Sequence, residues 1–293
     1  MDILAQVLNG LGIGSIYALV ALGYSMVYGI VQLINFAHGD IIMVGAYVTY
    51  VGLVMAGVPL WAAVLISILF CGLAGVLIEK LAYSRLLKMG APRISLLITA
   101  IGVSIFLQNL SQLLFSSSAK SMPAMFPNTM LELGTLQISS NTLLNIGTSV
   151  VMMIALQLLV NKTKMGKAMR ATSEDAGAAK LMGINTNSTI AITFGVGSAL
   201  AAVGAVLYCN TFHQITPYMG GMLGLKAFVA AVLGGIGSIP GAMLGGYILG
   251  VAESLTTAAG GSQITDAIVF GILILVLLIK PAGLLGKNVR EKV

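Results

Sequence analysis

The stretch ILAQVLNGLGIGSIYALVALGYSMVYGIVQLINFA, from Ile3 to Ala37, contains no charged residue and decides the fold class. It exceeds the roughly 20 apolar residues that a helix needs to cross a bilayer. Five further charge-free stretches follow it. With 58% hydrophobic and 8% charged residues, the chain lies outside the range of soluble domains, in which about 25% of residues are charged. Because barrel strands would show alternating hydrophobicity, which is absent, we expect an all-α fold: a polytopic transmembrane helix bundle.

Basic residues are concentrated in three clusters, and the positive-inside rule places all three in the cytoplasm. The number of spans between the clusters then predicts an outside N-terminus and a cytoplasmic C-terminus. The external segments carry almost no positive charge, as this topology requires. The clusters are Lys80, Arg85, Lys88 and Arg93; Lys162, Lys164, Lys167, Arg170 and Lys180; and Lys280, Lys287, Arg290 and Lys292.

About eight to nine membrane segments are expected, including short or broken helices. The sequence leaves open whether 223–258, around the turn GIGSIPG, crosses the membrane or re-enters on one side. The pattern GxGSxxA occurs at 12–18 and 195–201, in spans of opposite direction, which is compatible with the inverted repeats of transporters. The predicted segments are 4–28, 38–56, 59–80, 94–116, 141–161, 187–209, 223–237, 240–258 and 264–280.

A polar insert, KTKMGKAMRATSEDAGAAKLMGINT (162–186), interrupts these apolar segments. Thr172 followed by Asp175 fits a capping box, and Gly183 can end a helix in the left-handed conformation. These signals predict one helix over Ser173–Met182, whose small side chains could fit a groove on a soluble partner. The alternative is a solvated interfacial loop.

Within this insert, EDAGAAKLMGI (Glu174 to Ile184) resembles the cytoplasmic coupling motif of permease subunits in bacterial ABC importers. The similarity continues through SLLITAIGVSIFLQN (Ser95 to Asn109) and KAFVAAVLGGIGSIPGAMLGGYILGVAE (Lys226 to Glu253). On these residues the chain resembles the LivH/LivM-type permease family of high-affinity branched-chain amino-acid importers. The resemblance implies one permease domain over 1–293, with 162–186 as its coupling loop.

The resemblance also implies partners and a location. They are a LivM-like second permease, two LivG/LivF-like ATP-binding subunits and a periplasmic amino-acid-binding protein, assembled in the bilayer of the bacterial inner membrane. Whether the permease pairs as a heterodimer or homodimer stays open. ATPase contact is implied, by motif position, for Glu174, Asp175, Ala178, Ala179, Leu181 and Gly183.

No catalytic chemistry is expected of the chain itself. It has no GxxxxGK[ST] phosphate loop, so ATP would be hydrolysed by partners, and no spacing indicates a catalytic group, a cofactor or a metal site. We therefore predict a transport subunit rather than an enzyme, and no nucleic-acid partner. The family resemblance implies that the cargo is leucine, isoleucine or valine.

Ionisable residues within spans are candidate functional residues because they are costly in a membrane. Asn35, His38 and Asp40 could form part of a pathway or gate, although we expect a hydrogen-bonded turn at the cytoplasmic interface. Lys226 and Glu253 are expected to form a structural ion pair near the outer side.

Two rival functions remain at this stage. A secondary transporter or channel would carry charges deep inside its spans, whereas this sequence places most charges near span ends. The second rival keeps the ABC architecture but carries other amino acids, urea or amides, and the sequence does not exclude it.

Overall fold

The protein forms a bundle of long apolar helices, described here from a computed structural model covering residues 3–32, 34–133 and 136–286. Within those ranges, 7 helices are long and apolar enough to cross a membrane, and Met219–Gly234 is a shorter apolar helix. The predicted fold class, a polytopic helical membrane protein, is therefore confirmed. Lys287, Arg290 and Lys292 of the third basic cluster lie outside the described residues.

Each predicted segment corresponds to a helix, with ends that differ by a few residues. Two of the segments contain a π-helical turn, at Val51–Met55 and Glu79–Tyr83, and the second extends the third segment to Lys88. The α-helices are α1 Ile3–Val31, α2 His38–Tyr50, α3 Leu60–Ile78, α4 Ser84–Lys88, α5 Arg93–Phe115, α6 Ser140–Lys162, α7 Lys164–Glu174, α8 Ala176–Leu181, α9 Thr186–Phe212, α10 Met219–Gly234, α11 Ile239–Ala258 and α12 Thr265–Ile279.

Short strands lie at one end of the bundle. Two antiparallel pairs form there, one between β1 and β4 and the other between β2 and β3. We call this end the strand end, and the opposite end, which carries α4, α7 and α8, the basic end. The strands are β1 Lys120–Ser121, β2 Met130–Leu133, β3 Leu136–Ser139 and β4 Gln214–Ile215.

Glycines allow α11 to lie directly against α1. A methyl group added to Gly14 would collide with the backbone of Gly246, and one added to Gly250 would collide with Gly14. At the strand end, the Ser254 hydroxyl donates to the Gln6 carbonyl oxygen at 2.8 Å. Small residues permit such close approach in membranes, where hydrophobicity does not drive helix association.

The contact between α1 and α11 continues to the basic end. There, the Gly237 backbone N–H donates to the Ser25 hydroxyl at 2.8 Å. Helix α11 therefore runs antiparallel beside α1 along most of the length of α11. If α1 crosses the bilayer, residues 240–258 cross the same thickness of bilayer. Because α11 starts at the basic end and α9 finishes at the strand end, α10 must cross as well. This arrangement favours crossing over re-entry for 223–258, although Ile239–Ala258 is not among the 7 helices counted above.

The helix contacts follow the pattern of an inverted repeat relating α1–α3 to α9–α11. The first helix of each triplet packs against the third helix of the other: α1 against α11, and α9 against α3. Glycines mediate both contacts, since a methyl group on Gly75 of α3 would collide with Phe194 and Ser198 of α9. The two first helices also touch each other, as do α2 and α10. The helix arrangement therefore supports the inverted repeat suggested by the two GxGSxxA patterns.

The middle helices of the two triplets meet at their N-termini. A methyl group added to Gly39 would overlap the Gly220 carbonyl oxygen, and one added to Gly220 would overlap that of Gly39. The segment before α2 enters from the basic end, and the segment before α10 enters from the strand end. Both helices thus begin inside the bundle, as do the discontinuous helices of many transporters.

Candidate functional site: coupling element and polar centre

The insert at 162–186 forms two short helices, α7 and α8, at the basic end. We call them together the coupling element. The Thr163 hydroxyl oxygen accepts from the Gly166 backbone N–H at 3.0 Å and caps the start of α7. One face of α7 is buried through Gly166, Met169 and Thr172, while its basic side chains face outward. This buried face fixes the element to the bundle.

Helix α8 is capped at both ends by interactions within the chain. At its start, Asp175 Oδ1 accepts from the backbone N–H groups of Gly177 at 2.7 Å and Ala178 at 2.9 Å. At its end, Gly183 has φ of 83°, and the Ile184 N–H donates to the Ala179 carbonyl oxygen at 3.0 Å. This pair of features is a Schellman termination, which defines where the helix stops. The left-handed conformation predicted for Gly183 is confirmed.

The predicted boundaries of this helix were wrong at the N-terminal end. Thr172 is not the cap, because its hydroxyl donates to the Ala168 carbonyl oxygen at 2.8 Å inside α7. Glu174 is the last residue of α7 rather than a first-turn acid of α8. Asp175 takes the capping position because its short carboxylate reaches two free N–H groups directly, and this favours a break between two helices.

Five of the six residues with an implied ATPase contact are exposed: Glu174, Asp175, Ala178, Leu181 and Gly183. Ala179 is buried against the rest of the chain, so it supports α8 from the inside. Leu181 is 90% exposed and the neighbouring Met182 is 82% exposed. Two large, solvent-exposed apolar side chains at the end of a capped helix are typical of a surface that another protein covers. Their role in coupling stays a prediction.

A second polar region, the polar centre, surrounds the start of α2. Asn35 Oδ1 accepts from the Ala37 N–H at 3.2 Å and from the Tyr83 hydroxyl at 2.9 Å. His38 is 2% exposed and packs edge-on against Tyr24. Gly23 provides the space for it, because a methyl group there would collide with the imidazole ring. The expected hydrogen-bonded turn is therefore present at Asn35.

Asp40 lies deep inside the bundle rather than at a cytoplasmic interface, so that expectation was wrong for this residue. It is 1% exposed, and its Oδ1 accepts from Gln108 Nε2 of α5 at 2.9 Å. Along α5, Gln108 is about 22 Å from Arg93 at the basic end and about 10 Å from Phe115 at the strand end. Asp40, its partner, therefore lies far from the basic end. Asp40 is thus an exception to the expected placement of most charges near span ends. Asp40 tolerates burial because it sits in the first turn of α2, where the helix dipole favours an acid.

Lys226 forms an ion pair with Glu253, as the sequence suggests, and a second one with Asp266. The Lys226 Nζ lies 2.9 Å from Glu253 Oε1 and 2.9 Å from Asp266 Oδ1. The Tyr17 hydroxyl donates to Glu253 Oε2 at 2.7 Å. These four residues, here called the ion cluster, join α1, α10, α11 and α12.

Sequence reasoning missed the partner residues that complete the polar centre and the ion cluster. Gln108, Tyr83 and Tyr17 are ordinary residues of apolar segments, and each meets its partner only through folding. One signal was available for Gln108, since Ser104, Gln108 and Gln112 recur every four residues and mark one polar face of α5. Among the residues described, no group of His, Cys, Asp or Glu is arranged to hold a metal ion.

A multi-pass helical membrane protein with an exposed coupling element has the form of a permease, and comparison with known proteins agrees. The profile of the family described as "Branched-chain amino acid transport system / permease component" matches residues 6–278. The chain belongs to this family.

Individual relatives are similar over nearly the whole chain. The high-affinity branched-chain amino acid transport system permease protein BraD of Pseudomonas aeruginosa is 46% identical, covering 99% of this chain and 98% of BraD. The corresponding protein LivH of Escherichia coli K12 is 43% identical, covering 99% of this chain and 97% of its own. A probable LivH of Methanocaldococcus jannaschii is 31% identical, covering 93% and 89%.

Proposed function

We propose that this chain is the permease subunit of an ATP-driven importer that carries leucine, isoleucine and valine across the bacterial inner membrane. The observation that carries the proposal is the 46% identity to BraD over 99% of the chain. The basic residues gathered at one end support a cytoplasmic location for the coupling element and the C-terminus, with the N-terminus outside.

ATP hydrolysis is assigned to two LivG/LivF-like partner subunits, since the chain has no phosphate-binding loop. We assign their contact to the outward face of α8, where Leu181 and Met182 are exposed. Because α8 is capped at both ends, it can transmit a movement of the ATPase without unwinding. The buried face of α7 links α8 to the bundle. A periplasmic binding protein supplies the amino acid, and a LivM-like permease supplies the second half of the pathway.

The proposal is tested by uptake into proteoliposomes that contain this chain with its four partner subunits. With ATP inside and loaded binding protein outside, we expect labelled leucine to accumulate. Competition by unlabelled urea or short amides would instead favour the alternative cargo. Accumulation that needs no ATP and collapses with an ionophore would replace the proposal by a secondary transporter.

The coupling contact is tested by the double variant Leu181→Ser, Met182→Ser. If Leu181 and Met182 are the anchor residues of this contact, their truncation costs about 2 kcal/mol or more, so ATPase binding should weaken about thirtyfold or more. Leucine uptake should fall accordingly, while the thermal stability of the permease stays unchanged. Asn187→Ala, an exposed position at the start of α9, is the matched control. Normal ATPase binding by the double variant would contradict the docking role.

A further inference from the structure

A cavity of about 560 Å³ opens at the strand end between α2 and α5. Its walls are mainly apolar, and three polar residues lie among them. The cavity is open, since Met55, Leu113 and Leu114 of its lining are mostly exposed, and its volume falls within the range of small-molecule sites. The lining residues are Tyr50, Met55, Gln112, Leu113, Leu114, Phe115, Ser116 and Lys120.

The polar residues of the cavity are held by the tertiary fold. Lys120 belongs to β1 and pairs with Ile215 of β4, which brings its side chain to the cavity although it lies beyond the end of α5. Gln112 Oε1 accepts from the Tyr218 hydroxyl at 3.0 Å, just before α10 begins. The lining thus comes from α2, the turn after it, α5 and β1, while β4 and Tyr218, from the segment between α9 and α10, hold Lys120 and Gln112 in place.

A line of polar side chains leads from the cavity into the bundle. Gln108 and Ser104 follow Gln112 at four-residue intervals on α5, and the Gln108 amide lies 3.4 Å from the Ser104 hydroxyl. Gln108 also donates to Asp40 at the buried start of α2. Helices α2 and α5 run in parallel here, because Tyr47 stacks on Phe115 with 4.5 Å between ring centroids, seven residues beyond Asp40 and Gln108.

One polar atom beside this line has no partner. The Tyr47 hydroxyl is buried and has no hydrogen-bond partner among the residues that the structure describes, although its ring stacks on Phe115 of the cavity lining. An unpaired buried hydroxyl costs free energy, and such exceptions in native proteins call for an explanation. A polar ligand moving between α2 and α5 would supply the missing hydrogen bond.

We infer that this cavity accepts the amino acid, with Lys120 binding its carboxylate and Gln112, Gln108 and Asp40 leading its charged end inward. A branched-chain amino acid has one apolar side chain and one zwitterionic end. The aromatic and aliphatic wall formed by Tyr50, Met55 and Phe115 suits the first, and the basic rim and amide line suit the second. Lys120 is thus a binding residue, and Gln108 positions the polar end. The inference rests on the proposed function, because it takes the cargo from it.

The test compares variants of the assembled importer in proteoliposomes. Loss of one charge-assisted hydrogen bond corresponds to roughly a tenfold effect, so Lys120→Gln should lower the leucine uptake rate about tenfold. Lys120→Arg should retain most of it, because the charge remains. Lys88→Gln, which removes an exposed lysine at the basic end, is the control for a general charge effect and should transport normally.

A docking role of Lys120 toward the binding protein would produce a different result. If Lys120 docks the binding protein, Lys120→Gln would raise the concentration of binding protein that gives half-maximal ATPase stimulation. If Lys120 binds the carboxylate of leucine, Lys120→Gln leaves that concentration unchanged and lowers only the amount of leucine transported per ATP. A shifted half-maximal concentration would overturn the inference, and so would normal uptake by Lys120→Gln.

The amide line is tested by Gln108→Leu against Asn109→Leu. Asn109 is the next residue on α5, is exposed, and bonds only its own helix at Ile105. We expect Gln108→Leu to reduce uptake severalfold and Asn109→Leu to leave it unchanged, at equal yields of assembled complex. Equal uptake by both variants would overturn the inward path. If the unmodified importer fails to take up leucine, the proposed function fails instead, so the two failures are distinguishable.

Discussion

The two inverted triplets, α1–α3 and α9–α11, pack alike but carry opposite charges on their middle helices. In the first triplet, α2 carries Asp40 in its first turn, where the neutral amide of Gln108 on α5 holds it. In the second, α10 carries Lys226, which is held by Glu253 of α11 and Asp266 of α12. The glycine contacts that build the scaffold are shared, whereas the polar groups differ. The two triplets therefore share a helix arrangement but differ in the charged groups that it holds.

The difference has a physical basis in how each charge is compensated. Asp40 lies in the first turn of its helix, so the helix dipole and one side-chain amide suffice. Lys226 lies in the second turn of α10, where the backbone offers no comparable group, and it needs acidic side chains from other helices. The first charge is therefore stabilised mostly by its own helix and the second by the tertiary fold.

The largest effect is expected from enlarging a glycine in either scaffold contact. Gly250→Leu and Gly75→Leu would each force a side chain into the neighbouring helix, at Gly14 of α1 and at Phe194 and Ser198 of α9. Such overpacking costs about 3 kcal/mol or more, at or above its usual range. Both variants should lose most of the folded permease after detergent extraction, measured by size-exclusion chromatography. A methyl group added to Gly102 would meet no atom of the described residues within 4 Å, so Gly102→Leu is the matched control. Tolerance at one site but not the other would break the structural equivalence of the triplets.

The next effect should come from Lys226→Met. Removing one partner from a buried ion pair costs about 3–5 kcal/mol, because the remaining charge is left uncompensated. We expect a loss near the lower limit, since Asp266 is partly exposed, measured as a lower thermal unfolding midpoint. Adding Glu253→Gln to Lys226→Met should recover part of the stability. An unchanged midpoint for the single variant would show that the ion cluster contributes no stability.

The smallest effect is expected from Asp40→Asn. Asparagine keeps the oxygen that accepts from Gln108 and loses only the helix-dipole interaction, which is worth about 0.3–1 kcal/mol. Asp40→Leu, which leaves the Gln108 amide with only its long contact to the Ser104 hydroxyl, should cost about 1–3 kcal/mol. Thermal unfolding of both variants measures this order. A loss for Asp40→Asn as large as that for Lys226→Met would mean that Asp40, too, depends on a counter-charge.

Much of the scaffold could be predicted from the sequence, because apolar segments and turn residues act locally. The nine predicted segments correspond to helices, and Gly183 ends α8 as expected. The prediction at Thr172 failed because two candidate caps lay three residues apart, and only the packing of α7 shows which one is used. Thr172 is buried on the face that holds α7 to the bundle. Its hydroxyl therefore bonds within its own helix.

The candidate site was predictable only in part, and separation along the chain explains why. The coupling element is continuous in sequence, so its motif could be recognised. Asp40 and Gln108 are 68 residues apart, and Tyr17 and Glu253 are 236 apart. No local pattern links such pairs, and a buried charge looks the same in sequence whether or not a partner will meet it.

The sequence by itself determined that the chain crosses a membrane as helices, which end is basic and where the coupling helix stops. These properties depend on the solvent preference and backbone conformation of neighbouring residues. The tertiary structure alone decided that α2 and α10 begin inside the bundle, that α11 runs beside α1, and that Lys120 and Gln112 line one cavity. These depend on which helices come into contact, and close glycine packing fixes those contacts only when the whole chain has folded.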